Sequence, residues 1–238
     1  MDESAAGTTA GQVEKYYDNF RVQQKKLGIN VRHRTIWRNL RHLGMSADSN
    51  VLEVGCGIGT VSHLILRTVK KGSFVGADIS GESLVVARAL NNRSANASFI
   101  QTDMSDLSVA TRFDFVVFPD VLEHIPVEQH KAVFRKVAEH CAPDAQVLIN
   151  IPEPNFLNWI RKHQPEKLQI IDQSLSLAKL ATDAEEAGFH LHSVTPYQLF
   201  YNVNDYVSIV LKRQPEVPEV KVAGASRRLL RNALSRLT

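Results

Sequence analysis

From Asn50 onward the chain alternates short apolar runs with amphipathic stretches, and this alternation constrains its fold more than any other feature. Five runs read as strands: Val51 to Val54, Ser73 to Asp78, Ala97 to Gln101, Phe113 to Phe118 and Gln146 to Ile151. Between them lie "TVSHLILRTV", "GESLVVARALNN" and "VEQHKAVFRKVAEHCA", each with a helical period. In the last, Val133, Phe134, Val137, Ala138 and Cys141 form one apolar stripe, while His130, Lys131, Arg135 and Glu139 fall elsewhere. Strands that are almost wholly apolar and separated by helices predict a parallel sheet covered on both faces.

The rhythm breaks over residues 153–176, a connection longer than usual, which reads as a cap over a pocket. Leu177 to Ala187 then has a helical period and Gly188 ends it. "FHLHSVTPYQLF" and "DYVSIVLKR" read as two antiparallel strands that close the sheet. Residues 1–12 read as disordered, and 13–45 as helical, with Tyr16, Tyr17, Phe20, Ile29, Ile36, Trp37 and Leu40 as apolar points. Residues 46–213 make the main domain, and 214–238 make a linker and a short tail helix. In that tail Leu229, Leu230, Ala233, Leu234 and Leu237 lie on one side and four arginines on the other. Such a helix suits an anionic membrane surface or a protein partner, with docking on its own domain as the alternative.

A chain of 238 residues can bury a full core in one domain. The formal net charge of +3 belongs to the tail, since no acid follows Lys221. A near-neutral body offers no electrostatic footprint for a long nucleic acid, so no DNA partner is expected. Cys56 and Cys141, the only two cysteines, provide neither a disulfide framework nor a zinc site. The opening "MDESAAGTTAGQ" has neither a basic start nor an apolar core, and no apolar run is long enough to span a bilayer. The expected compartment is the cytoplasm, with membrane contact only through the tail.

The first strand runs into "VLEVGCGIGT", where three glycines alternate. A dinucleotide fingerprint would need a third glycine where Thr60 stands; the pattern here is Glu53, Gly55, Gly57, Gly59. Asp78 ends the second strand, Asp103 and Met104 follow the third, and "FPDVLEHIP" follows the fourth. Taken singly, Glu53 could orient the turn, Asp78 could cap a helix and Asp103 could be an ordinary turn residue.

Taken in this order and spacing, the four segments resemble the class I S-adenosylmethionine-dependent methyltransferases. The resemblance implies a Rossmann-like α/β fold, a seven-stranded mostly parallel sheet with antiparallel final strands and helices on both faces. It implies S-adenosyl-L-methionine as cofactor, with Glu53, Gly55, Cys56, Gly57 and Gly59 forming the turn beneath its methionine and ribose. By the same resemblance Asp78, followed by Ile79, accepts from the ribose hydroxyls, and Asp103 accepts from the adenine amino group beside Met104. Pro119 stands at the methionine end, Tyr16 belongs to an N-terminal lid, and Arg32 pairs with the methionine carboxylate.

"D-V-L-E-H" resembles the E-x-x-E-H segment of quinone O-methyltransferases and of small RNA 2'-O-methyltransferases. That likeness implies Asp120, Glu123 and His124 as the catalytic group, able to hold a divalent ion, with magnesium as an optional second cofactor. The alternative is a metal-free site in which His124 touches substrate or only packs. Asn155, Phe156, Trp159 and Tyr197 are the candidate acceptor contacts. The expected activity is methyl transfer to a small-molecule acceptor, at a hydroxyl oxygen of a lipophilic or glycan substrate. Transfer to nitrogen, carbon or an RNA end is the alternative within enzymes, and a non-catalytic cofactor-binding regulator or scaffold is the alternative outside them.

Overall fold

A computed structural model describes residues 28–169 and 171–213. Helix α1 (Val31–His42) is followed by β1 (Val51–Val54), α2 (Thr60–Leu66), β2 (Phe74–Asp78), α3 (Gly81–Leu90), β3 (Ala97–Gln101) and β4 (Phe113–Pro119). Then come α4 (His130–Glu139), β5 (Cys141–Pro152), α5 (Pro154–His163), α6 (Leu177–Glu185), β6 (Phe189–Tyr197) and β7 (Tyr206–Arg213). The strands form one sheet in the order β3-β2-β1-β4-β5-β7-β6. Strands β1 to β5 pair in parallel, and β7 runs antiparallel between β5 and β6. The Rossmann-like sheet is therefore present, with its two antiparallel strands at one edge.

The apolar runs are unbroken because each strand feeds two cores. Leu52 and Val54 of β1 join Val116, Phe118, Phe134, Val147 and Ile149 on one face. Val51, one step out of phase, joins Ile36, Leu40, Ile65, Phe74 and Phe115 on the other. The same alternation puts Glu53 on the side of Val51, beneath α2, where Ser62 meets it.

Helix α1 begins at Asn30, whose Oδ1 accepts from the His33 amide while His33 Nδ1 accepts from the Asn30 amide, each at 3.2 Å. Histidine here does the work of the glutamate in a capping box. That role needs a neutral ring, and burial, then the nearby Arg32 charge, hold the His33 pKa down at about 4.

Three expectations change. Helix α4 stops at Glu139, so Cys141 opens β5 instead of closing the helical stripe, and β5 starts earlier than Gln146. His130 is buried, and its Nε2 lies 2.9 Å from the carbonyls of both Leu122 and Ile125, at the 3-10 turn Leu122–His124. The 153–176 segment is built around α5 and a 3-10 turn, Pro165–Lys167, rather than being a plain loop.

Tyr16, Tyr17, the disordered-start and lid expectations before residue 28, and the tail helix with its surface contacts lie outside the described residues. Among the described residues, no helix is long and apolar enough to cross a membrane.

Phe134 of α4 is fully buried and its ring lies 6.1 Å from that of Phe118. Replacing it should open a cavity under the sheet: Phe134→Ala is expected to lose about 3–5 kcal/mol in urea unfolding.

Candidate active site

The chain winds outward from β1 through β2 to β3, then returns to place β4 on the other side of β1. This reversal opens a crevice at the carboxyl ends of β1 and β4, where open α/β sheets bind ligands. The crevice is lined by Arg32, His33, Glu53, Gly55, Cys56, Gly57, Ile58, Thr60, Val61, Pro119 and Asp120. Seven residues singled out in the sequence therefore share one wall; Ile58, Thr60, Val61 and His33 join them.

Backbone geometry makes the glycines necessary. Gly55, Gly57 and Gly59 have φ of 68°, 51° and 80°, a region that side chains disfavour. A Cβ on Gly55 would stand 2.3 Å from Val121 Cγ2, so the loops after β1 and β4 touch at this point. A Cβ on Gly59 would meet Asn91 Nδ2 at 2.8 Å, and Gly59 is also the residue from which α2 starts. Gly76 of β2 makes room for Cys56, whose sulfur would lie 3.0 Å from a Cβ there. Burial, first, and the charge of Asp78 push the Cys56 thiol well up, so it packs as an uncharged group.

Asp78 ties the strand ends together. Its Oδ2 accepts from the Gly57 amide at 2.6 Å and its Oδ1 from the Ser80 amide at 2.9 Å, while Ser80 itself caps α3. Ile79 offers its carbonyl to Gln101. Asp103 is exposed and accepts from Ser105 through both the amide and the hydroxyl, which hold its carboxyl below the usual range. Met104, next to it, is buried with φ of 77°. Ile79, Asp103 and Met104 thus follow the ends of β2 and β3, beyond the lining of the cleft.

Glu53 is the buried acid of the turn, accepting from Ser62 Oγ at 2.6 Å. Burial outweighs that hydrogen bond and, with the Asp78 charge, raises its pKa to about 8. Asp120 is the second non-glycine residue with positive φ, at 59°, and its amide donates to the Asn150 carbonyl. Its Oδ2 lies 3.2 Å from Arg32 Nε, and Arg32 Nη1 donates to the Tyr206 hydroxyl at 3.1 Å. Burial opposes the Arg32 charge, but Asp120 and Tyr206 outweigh it and raise its pKa. Burial raises Asp120 against the pull of Arg32 and His124. Its Oδ1 is buried without a hydrogen-bond partner.

A second group follows on the 3-10 turn Leu122–His124. His124 Nδ1 faces the Ile171 carbonyl at 2.5 Å and Asp172 Oδ1 at 3.2 Å, and Nε2 lies 3.8 Å from Glu123 Oε1. Burial pushes the His124 pKa down, yet Glu123 and Asp172 outweigh it and raise it to about 9. Burial raises Glu123 in turn, and neither of its oxygens has a hydrogen-bond partner.

The expected magnesium set does not form. Asp120 is turned to Arg32, and His124 Nδ1 to a carbonyl and Asp172. Among the described residues, no three or more His, Cys, Asp or Glu side chains gather as metal ligands. The residues do not fit a divalent ion, and no step below uses one.

The four candidate acceptor contacts do not line the cleft. Phe156 and Trp159 stack on one face of α5 with ring centroids 6.0 Å apart, and Trp159 is 44% exposed. Asn155 is exposed and donates to Glu153. Tyr197, at the end of β6, donates to Asn150 Oδ1 and so reaches the Asp120 side. Sequence reasoning missed Asn150 and Tyr206, although each stands out as a polar group in an apolar run. Asp172 carried no such signal.

Residues 51–144 match the family model described as a methyltransferase domain. Over this segment the chain is similar to methyltransferase domains. In sequence it is 30% identical over 125 residues to the ubiquinone biosynthesis O-methyltransferase of Serratia proteamaculans, covering 51% of this chain and 50% of the relative. It is 25% identical over 114 residues to the trans-aconitate 2-methyltransferase of Methylobacterium nodulans, covering 48% and 42%. The chain spans about half the length of the relatives it matches.

In fold, the magnesium protoporphyrin IX methyltransferase of Synechocystis with bound SAH superposes at a TM-score of 0.66 and 18% identity, over 86% of this chain and 99% of that one. The N-methyltransferase NodS of Bradyrhizobium japonicum with S-adenosyl-L-homocysteine gives 0.67 and 17%, over 84% and 98%. The matched segment of the methyltransferase domain contains the whole glycine turn, Asp78, Asp103 and the Asp120–His124 stretch.

Two outcomes follow from the turn. Gly55→Ala is expected to lose about 2–4 kcal/mol from left-handed strain and overpacking, and Gly55→Ala/Val121→Ala should recover the steric part in thermal unfolding. The folded pKa of Glu53, about 8, lies above its ordinary 4.5. Its contribution to stability is therefore fully present at low pH and is lost as pH rises through 4.5 to about 8. Glu53→Gln, which still accepts from Ser62, should flatten the pH dependence of unfolding across that window and be the more stable protein above it.

Proposed function

We propose that this chain is an S-adenosylmethionine-dependent methyltransferase acting on a hydroxyl oxygen of a small lipophilic or glycan acceptor. The observation that carries the reading is the joined cradle of Gly55, Gly57 and Gly59 with Asp78 across the ends of β1 and β2, inside the segment that matches the methyltransferase family. The cleft also fits a zwitterion. Arg32, already held by Asp120 and Tyr206, has its remaining N–H donors for a carboxylate, and the buried Asp120 Oδ1 beside it offers an acceptor for an ammonium group.

S-adenosylmethionine, when bound, supplies a methyl group on a positively charged sulfur. The protein's work is alignment and exclusion of water. In this reading the glycine turn passes beneath the methionine and ribose, and Asp78 accepts from the ribose hydroxyls. Asp103 and Met104 stand on the adenine side. Outside the cleft, Phe156 and Trp159 on α5 are proposed as an apolar acceptor surface, with Asn155 beside them and Tyr197 reaching the Asp120 side through Asn150. A hydroxyl acceptor must lose its proton, and His124, with Glu123 3.8 Å from its Nε2, is the group assigned to take it. The named activities of the Serratia and Methylobacterium relatives support a small-molecule acceptor.

Calorimetric titration with S-adenosylmethionine and S-adenosylhomocysteine tests the cofactor. The intact protein should bind both, and Asp78→Ala should weaken binding about tenfold or more, as expected for lost hydrogen bonds to a charged group. Equal affinity in the variant would remove Asp78 from the cofactor site, and no binding by the intact chain would sink the proposal.

A further inference from the structure

The 153–176 segment is fastened to the turn that carries His124. The Gln173 amide donates to the Glu123 carbonyl at 2.9 Å, and Gln173 Nε2 donates to the Ile125 carbonyl at 2.7 Å. Asp172 Oδ2 accepts from the Gln169 amide at 2.6 Å. From α5, Arg161 donates to the Asp172 carbonyl and to Ser174 Oγ. Asp172 is therefore held from both sides, and its side chain is only 10% exposed.

We infer that Asp172 is the positioning residue for His124: the inserted segment supplies the carboxylate that fixes the ring with its proton on Nδ1 and makes Nε2 the basic nitrogen. The inference rests on the function proposed above and adds to it which residue sets the state of the base. Two contacts argue it. The Ile171 carbonyl, 2.5 Å from Nδ1, can only accept, so Nδ1 must carry a proton. Asp172 Oδ1, 3.2 Å from the same nitrogen, adds a negative charge that favours the imidazolium. This is the division of labour between histidine and aspartate in a hydrolytic triad, built here across an insertion.

The groups facing His124 are Glu123 on its own turn, Asp172 on the insert and Asp120 after β4, with Arg32 of α1 held against Asp120. Three carboxyls around one imidazole favour its charged form. In the transfer step, which requires the neutral ring and so speeds up as pH rises toward about 9, the acceptor O–H proton passes to Nε2, and the oxygen's electron pair forms the new O–CH3 bond as the S–CH3 bond breaks. The positive charge lost from sulfur reappears on the imidazolium, where Asp172 stabilises it.

Histidine-selective 15N NMR of the full chain, saturated with S-adenosylhomocysteine, tests this. The neutral His124 ring is expected to be protonated on Nδ1 and to titrate above the ordinary imidazole range. Asp172→Asn should lower its midpoint by about 1–3 pH units, Asp172→Glu should restore most of the difference, and Gln173→Ala, which loosens the same loop but keeps the carboxylate, should leave the midpoint near wild type. A neutral ring protonated on Nε2 in the wild type would overturn the inference without recourse to any variant. So would an unchanged midpoint in Asp172→Asn, or an equal fall in Gln173→Ala. Calorimetry on the same samples keeps the two claims apart: absent S-adenosylhomocysteine binding refutes the cofactor reading, whereas the tautomer and midpoint speak only to Asp172.

Discussion

The hydrogen bond from the Gly57 amide to Asp78 joins the ends of β1 and β2, beside the β1–β4 crevice where the strand order reverses, and so fixes one wall of the cleft. A turn with three left-handed residues has no regular backbone ladder to hold it. Asp78 provides the substitute, and its second oxygen reaches Ser80, so the turn after β1 and the start of α3 move together. Contact between Gly55 and Val121 completes the frame from the β4 side.

Within that frame the protein keeps several acids away from water. Glu53, Glu123 and Asp120 all sit where burial raises the pKa, and they are compensated to different degrees. Glu53 has Ser62, Asp120 has Arg32, and Glu123 has only the imidazole beside it. Buried groups left short of partners cost stability. Glu53, Asp120 and Glu123 lie at the cleft and on the turn just after it, whereas the buried Asp183 and Asp205 elsewhere are paired, with Lys179 and with the Leu199 and Phe200 amides; perturbed acids cluster in this way at functional sites. The positive φ of Met104 and Asp120, at the mouths of β3 and β4, is strain of the same origin.

The sheet was legible because strand runs such as Val51–Val54 and Phe113–Pro119 are buried on both faces, which leaves them almost wholly apolar. The start of β5 was not, since Pro143 and Asp144 interrupt "CAPDAQ" and the pairing with β4 is itself irregular there. The acids at strand ends were legible from position, though not their partners. That Arg32 meets Asp120 could not be read, because 88 positions of intervening fold bring them together. Asp172 was invisible for a different reason: it lies in a segment without period, and its placement depends on hydrogen bonds to main-chain atoms that any sequence provides.

The fastening of the insert to the His124 turn bears on how such enzymes diversify. Arg161 and Asp172 belong to the same short segment as the stacked Phe156 and Trp159. On the function and the inference proposed above, a single exchange of this cassette would replace the surface assigned to the acceptor together with the carboxylate assigned to tune its deprotonation, and would leave the glycine turn and Asp78 untouched. New acceptors would then arrive with a matched acidity, and the half of the molecule that handles the methyl donor would not have to be rebuilt.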